Sequence, residues 1–280
     1  MVYSIFDSGS TKTEMLLKGE NRNETFLFPG INPFYQTEEE IVALLKEHIN
    51  EEVPTRKVER LFFYGAGCSF PEKKAIVRNA LGKIFTEAEI VVENDLLAAS
   101  RALFQNERGI ACILGTGANS CLYDGKQIVQ NVSPLGFILG DEGSGANIGK
   151  RFVADCLKGL MPQPLQEAFF TKMQTTAQAV MDNVYKKPFP NRYLASLCRF
   201  IYGYRETPYV QELVKDCFSD FFERNILQYP VGNEKLGFVG SIAHYFEKEL
   251  TEVAESYGFS ISIILKQPME GLNQYHTNNL

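Results

Sequence analysis

Two stretches of this chain combine small residues, hydroxyls and charge in a way that suits a polyphosphate. "DSGSTKTE" (Asp7–Glu14) follows one apolar run, Val2–Phe6, and precedes another, Met15–Leu17. A simple hairpin needs only about two turn residues. This longer tip of Ser8, Gly9, Ser10 and Thr11 points backbone N–H groups and hydroxyls one way, and such concave sets of N–H groups bind anions. Lys12 adds a cation. Asp7, at the end of a strand, suits Mg²⁺ held through water, because that ion takes oxygen ligands and keeps its own waters. An ordinary surface turn uses the same residue types, so the tip alone does not decide. "GTGANS" (Gly115–Ser120) repeats the equipment after the apolar run Ile110–Leu114. One tip opens each half of the chain, and together they could clamp a polyphosphate from both sides.

Three further places carry chemistry. "LGFVGSIAHYF" is a strand running through Gly240 and Ser241 into a helix. Free N–H groups and partial positive charge collect there, and glycine lets a flat group such as adenine or ribose lie against the backbone; a plain turn with Ser241 as N-cap is the simpler reading. Asp95 follows an apolar strand and opens a helix, a common place for an acid. Asp141 and Glu142 in "GDEGSG" read either as metal ligands or as a solvated turn. "GANIGKR" (145–151) is not a P-loop, since GxxxxGK[ST] does not occur. His48, His244 and His276 stand apart and receive no metal or catalytic role.

The elements that must position these residues follow from periodicity. Strands are expected at 2–7, 13–18 and 24–28, a helix at 38–50, and a strand at 60–64 leading to a corner at Gly65 and Gly67. A helix at 71–84, a strand at 90–92 and a helix from Asn94 to before Gly109 complete the first half. The pattern restarts with a hairpin at 110–125 and a strand at 126–131. Helices fill 144–228, followed by a strand at 236–239, a helix at 242–257 and a strand at 259–265. The expected fold is α/β, with a hairpin-led mixed sheet used twice. The domains expected are 1–107, with 268–280 as a segment able to pack back on it, and 108–267 with a helical insertion at about 151–230.

Composition narrows the function. The chain has 280 residues, 45% hydrophobic and 22% charged, with a net charge of −6 and a pI near 5.3. Proteins that grip nucleic acid through phosphates are usually basic, so no nucleic-acid partner is expected. No apolar run reaches the roughly 18 residues of a membrane helix, and no signal peptide is read at the N-terminus. Six cysteines, without a CxxC, read as reduced thiols of a cytoplasmic protein and not as a disulfide framework or zinc site.

Taken in order, DSGSTKTE, "END" (Glu93–Asp95), GTGAN, "PLGFILGDEGSG" (Pro134–Gly145) and "GFVGS" resemble the N-acetylglucosamine kinase-like and BadF-type ATPase family of the actin/hexokinase/sugar-kinase superfamily. The likeness runs from residue 2 to about 271; its most specific piece is the LGDEGSG string, and 151–230 carries no signature of it. It implies two actin-like (ribonuclease H-like) lobes with ATP and Mg²⁺ in a cleft between them that closes on sugar. Asp95 then resembles the base that takes the proton of a sugar 6-hydroxyl, with Asp7 at the metal. Ser8 to Lys12 and Gly115, Thr116 and Gly117 would hold phosphates, and Gly240 and Ser241 the adenosine. Sugar contacts are implied at Asn32, Asn94, Asp95, Thr116, Gly136 and Asp141, with Gly65–Ser69 lining the same pocket. Related kinases tend to carry an aromatic residue, often Trp, just before the glycine-aromatic step of that string. This chain has no Trp, which leaves N-acetylglucosamine, glucosamine and N-acetylmuramic acid open as acceptors.

The expected function is therefore an ATP-dependent amino-sugar kinase, compatible with a homodimer. One alternative is an ATPase that activates a redox enzyme through an interfacial iron–sulfur cluster, but Cys112 and Cys121, on the strands flanking the second tip, read as core thiols. The other is a sugar-sensing repressor, whose DNA-binding domain would precede the first tip; only six residues precede Asp7.

Overall fold

Tyr3–Ser8 is buried along nearly its whole length, which demands a strand with neighbours on both edges. In the computed structural model, which describes residues 1–9, 11–19, 22–49, 53–230 and 234–280, this strand is the centre of a sheet. In chain order the elements are β1 (Tyr3–Ser8), β2 (Lys12–Gly19), β3 (Arg22–Pro29), α1 (Glu38–His48), β4 (Arg60–Gly65), α2 (Pro71–Gly82), β5 (Glu89–Asn94) and α3 (Asp95–Phe104). Next come β6 (Gly109–Leu114), β7 (Ala118–Tyr123), β8 (Ile128–Val132), α4 (Gly136–Leu139), α5 (Gly145–Lys158), α6 (Gln163–Lys172), α7 (Ala177–Tyr185), α8 (Pro190–Ser196), α9 (Cys198–Tyr202) and α10 (Pro208–Arg224). The chain ends with β9 (Lys235–Val239), α11 (Ser241–Tyr245), α12 (Glu247–Ser256), β10 (Ile261–Leu265) and α13 (Met269–Asn279).

The chain divides into two compact units, Met1–Gln105 with Pro268–Leu280, and Asn106–Gln267. In the first, the sheet order is β3-β2-β1-β4-β5; β1, β2 and β3 are antiparallel, and β1, β4 and β5 are parallel. The second unit has the same plan, β8-β7-β6-β9-β10, again antiparallel on the hairpin side and parallel beyond β6. Both sheets are five-stranded, mixed and flanked by helices. The expected α/β class, with one hairpin-led mixed sheet per half, is the one observed.

In the first unit Phe6 is ringed by Phe28, Phe63 and Phe85, with centroids about 6 Å away. α1 begins with a capping box, in which Thr37 and Glu40 satisfy each other's backbone N–H groups. The C-terminal helix α13 packs on α3: Gly271 lies directly against Ala102, and Gln105 donates to the Gly271 carbonyl at 3.1 Å. His276 of α13 stacks on Phe62 at 3.8 Å and bonds the Tyr64 hydroxyl at 2.9 Å. In the second unit one continuous core joins the sheet to α5, α8, α10 and α12.

Three features depart from expectation. The helix expected over 242–257 is two helices, broken at Phe246, where ψ turns to 34°. α13 and the four-residue α4 were not anticipated. Among the described residues no helix is long and apolar enough to cross a membrane.

Candidate active site

In the first unit the parallel strands β1, β4 and β5 end level with one another: Ser8 pairs with Gly65, and Gly65 with Asn94. The carboxyl edge of parallel strands is where α/β sheets hold ligands. Asp7 stands one residue before that edge and Asp95 one residue beyond it, as the first residue of α3. Both keep some solvent-exposed surface. Asp7 is nevertheless set so deeply that burial, then the charge of Asp95, then that of Glu14, push its pKa up to about 7, against the opposing pull of Lys12. Burial also raises Asp95, although its own N–H and that of Leu96 hydrogen-bond the carboxylate. A carboxyl with a raised pKa holds a proton more readily, the property a general base needs.

A buried carboxylate whose ionisation is opposed by the charge of a second suits a divalent cation between or beside them. Among the described residues no cluster of three or more His, Cys, Asp or Glu forms a closed metal cage. Mg²⁺ does not need one, since it binds through one or two carboxylates, water and substrate phosphates. The residues present fit that ion.

The neighbours of Asp95 are tied down. The Asn94 side chain caps α3 by accepting from Leu97 N–H at 2.8 Å, which leaves its amide NH₂ to donate elsewhere. Glu93 is paired with Lys74. Cys68 lies close enough to Asp95 that the carboxylate, after burial, helps push its thiol up to about 12, so it stays protonated and inert. The Asn32 side-chain oxygen accepts from Phe34 N–H at 3.0 Å, which leaves its NH₂ to donate elsewhere. Gly67 makes this turn possible: its backbone is left-handed (φ 84°), and a Cβ there would lie 2.4 Å from the Asn32 oxygen. Asn32, Asn94, Asp95 and the Gly65–Ser69 corner therefore converge.

The first tip is only partly as expected. Gly9, Thr11 and Lys12 are exposed; the Gly9 N–H closes the turn onto the Lys12 carbonyl at 3.0 Å, and Lys12 lies 4.0 Å from Glu14. Ser10 lies outside the described residues. Ser8 is a correction: its hydroxyl is fully buried, bonded to Thr13 Oγ1 at 2.8 Å and to the carbonyl and N–H of Ile31 at 3.0 and 2.8 Å. That hydroxyl is saturated by the hairpin and has nothing left for a phosphate.

The second unit repeats the layout. Gly115, Thr116 and Gly117 form an accessible turn after β6, and no hydrogen bond is made by the N–H groups of Thr116 and Gly117 within the described residues. The Gly115 and Thr116 carbonyls accept the first N–H groups of α5, from Gly145 and Ala146, so the turn is braced from behind. Gly240 packs onto its foot. With φ 132°, a Cβ there would lie 2.1 Å from the Leu114 carbonyl, so only glycine fits. Exposed Ser241 lines a pocket of about 570 Å³ with Arg199, Tyr202 and Tyr245, residues for which the sequence carried no signal.

Asp141 is buried, left-handed (φ 56°) and set against Gly117, and it accepts from Ala118 N–H at 3.2 Å. Burial pushes it up to about 6; the Glu142 charge adds to this, while the Ala118 bond and Lys150 oppose it. Its second oxygen has no partner among the described residues. Glu142 is instead drawn to Arg224 at 3.7 Å. Gly136 (φ 75°) is exposed at the start of α4. None of the six cysteines forms a disulfide, and all six are buried.

No family model matches the chain. A solved structure from Porphyromonas gingivalis, named "putative N-acetylglucosamine kinase", is 43% identical, covers 99% of both chains and superposes with a TM-score of 0.96. At that identity and coverage the chain belongs to the same family, the N-acetylglucosamine kinase-like branch of the actin/hexokinase/sugar-kinase superfamily. A Clostridium acetobutylicum N-acetylmuramic acid/N-acetylglucosamine kinase is 24% identical over 209 residues, 70% of this chain and 68% of its own. A Chromobacterium violaceum structure of the same name as the first shares the fold, at 15% identity, TM-score 0.72 and coverage of 98% and 99%.

Proposed function

We propose that the chain is an ATP-dependent amino-sugar kinase that transfers the γ-phosphoryl group of ATP to the 6-hydroxyl of N-acetylglucosamine or a close relative. The observation that carries this reading is Asp95: a carboxylate raised by burial, at the ligand edge of a sheet, coupled to a second carboxylate suited to Mg²⁺. Membership of a family whose relatives are named as kinases supports it.

Phosphoryl transfer asks a protein for positioning and charge stabilisation. Asn32 and Asn94 offer NH₂ donors to sugar hydroxyls, Asp141 offers an acceptor oxygen, and Thr116 and Gly136 of the second unit are further sugar contacts. Asp95 accepts the proton of the attacking hydroxyl as its oxygen bonds to the γ-phosphorus. The bond from that phosphorus to the β,γ-bridging oxygen breaks, and ADP leaves with the electron pair. The exposed tip residues Gly9, Thr11 and Lys12, with Ser10, and the free N–H groups of Thr116 and Gly117 receive phosphate oxygens. Gly240 and Ser241 take the adenosine, in the pocket that Tyr202 and Tyr245 line. Mg²⁺ at Asp7 would neutralise phosphate charge. The need for ATP and the buried, reduced-type cysteines support a cytoplasmic enzyme.

The test is ADP release by the full chain with ATP, Mg²⁺ and a panel of amino sugars. Sugar-dependent release is expected with at least one of them; release indifferent to every sugar overturns the reading.

A further inference from the structure

Beside α4 the second unit holds a cavity of about 540 Å³, within the roughly 300–1,000 Å³ of small-molecule sites. No residue assigned above to sugar, phosphate, metal or adenosine lines it. Its walls are α4 with Phe137 and Ile138, α5 with Val153 and Ala154, and α7 with Val180 and Val184. Val153 and Val180 belong to the buried core, whereas the lining residues Ile138, Met181 and Tyr185 are 73%, 43% and 75% exposed. Single exposed apolar residues are ordinary, but a group of them around a concavity marks recognition.

One lining residue is charged. Lys150 of α5 is half-buried, and its ammonium donates to the Phe137 carbonyl at 2.9 Å, which ties α5 to α4. No carboxylate lies within 4 Å of it among the described residues. An ammonium has three donors, and among the described residues this one makes a single hydrogen bond. A cation in an apolar wall loses solvation that only an anion restores. One cation matches one negative charge, a carboxylate and not a phosphate dianion. The walls are mostly aliphatic, which suits a flexible alkyl chain better than a flat ring.

We propose that this cavity is an effector site for a medium-chain fatty acid, its chain against α5 and α7 and its carboxylate on Lys150. Occupancy is coupled to the acceptor site. α4 leads directly into Gly140 and Asp141, and the Asp141 N–H closes that loop onto the Pro134 carbonyl at 2.9 Å. The charge of Lys150 favours the ionised form of Asp141. A carboxylate beside Lys150 cancels that help, so the acceptor oxygen is weakened and the sugar is held less well. The fatty-acid site stands without the kinase reading; its effect on the acceptor sugar rests on that reading.

The experiment titrates decanoate calorimetrically into the full chain and its Lys150→Met, Lys150→Arg and Ala154→Phe variants, with decanol as the uncharged probe. The parent chain should bind decanoate saturably, and its Tm should rise with decanoate concentration. Lys150→Met should weaken decanoate by about tenfold or more, the loss of a charge-assisted hydrogen bond, and leave decanol unchanged. Arg should restore most of the difference. Ala154 is exposed, so Phe there fills the cavity without disturbing the core and should abolish binding of both probes. In ADP-release assays decanoate should raise KM for N-acetylglucosamine severalfold in the parent chain and not in Ala154→Phe. Absent or unsaturable binding, or an equal loss of decanoate and decanol in Lys150→Met, overturns the site. Saturable binding with an unchanged KM overturns the effector role. A dimer that Tyr185→Glu splits and decanoate cannot enter shows the face closed by a second copy and overturns the proposal too. Absence of turnover with every sugar overturns the kinase reading, and calorimetry still decides the site.

Discussion

Replacing Asp95 with Asn separates chemistry from stability at one position. The amide keeps the shape of the side chain at the head of α3 but is a poor proton acceptor. General base help contributes about 10²–10⁴-fold, so kcat should fall by that factor, about 3–5 kcal/mol of barrier at 1.36 kcal/mol per decade. ATP affinity should hold. Stability should move the other way. Asp7 ionises near pH 7 in the folded chain against 3.8 ordinarily, so at pH 8 folding forgoes about 4 kcal/mol, roughly three pKa units at 1.36 kcal/mol each. Burial is the largest part and persists in the variant; the charge of Asp95 comes next and is removed. A recovery of about 1 kcal/mol would raise Tm by roughly 2–4 °C in a chain of this size. Because the folded pKa of Asp7 lies above its unfolded value, the forgone stability grows as pH rises from about 4 to 7, and the gain in the variant must shrink towards acid pH. Steady-state ADP release, calorimetric ATP binding and thermal unfolding at pH 5 and pH 8, the last without nucleotide or Mg²⁺, check all of this. A kcat near that of the parent chain, or a lower Tm at pH 8, refutes the reasoning.

Ser8→Ala should cost about 1–3 kcal/mol of stability through the unpaired N–H and carbonyl of Ile31, while kcat stays unchanged; a selective loss of kcat in a stably folded variant would return Ser8 to the phosphates. Gly240→Ala forces a side chain onto the Leu114 carbonyl. It should cost roughly 1–3 kcal/mol and raise KM for ATP, read from a urea midpoint and a nucleotide titration; normal values for both would contradict the packing. Burial, then Arg101 and Arg60, press the His276 pKa down to about 3. Tyr64 accepts from Arg101 at 2.7 Å and donates to the neutral ring. With a folded pKa below the unfolded 6.5, stability is full above pH 6.5 and falls by about 2 kcal/mol on going to pH 5. His276→Gln should flatten that slope, and an unchanged slope means another group carries it.

The repeated plan was legible because each sheet begins with a hairpin whose strands are short, apolar and separated by residues that only a tip tolerates. Strands β1 to β5 lie within a few residues of where alternation and apolar runs place them. What local pattern cannot carry is saturation and return. Ser8 has the residue type of a phosphate ligand, but two segments distant in sequence, at Thr13 and Ile31, claim its hydroxyl. α13 has weak amphipathic character, and its stability comes from packing Gly271 on Ala102 and His276 on Phe62, neither of which is visible locally. The helix over 242–257 reads as one because its apolar spacing continues through Phe246, where the backbone turns so that the buried Phe246 ring meets Tyr202 at 5.5 Å. At the candidate site, Asp7 and Asp141 announced themselves by type and glycine neighbours, and Asp95 only through the END string of the family resemblance. Arg199, Tyr202 and Tyr245 did not, because basic and aromatic residues inside a helical stretch carry no sign of lining a pocket until the chain is folded.

The central claim is a phosphoryl transfer from ATP to one hydroxyl of an amino sugar. Its most direct measurement is phosphorus and carbon NMR of the product formed from N-acetylglucosamine, ATP and Mg²⁺ by the full chain. A phosphate monoester resonance coupled to carbon 6 of the sugar, formed one-for-one with ADP, is the predicted result. ADP accompanied only by inorganic phosphate, or an ester at another carbon, would contradict it.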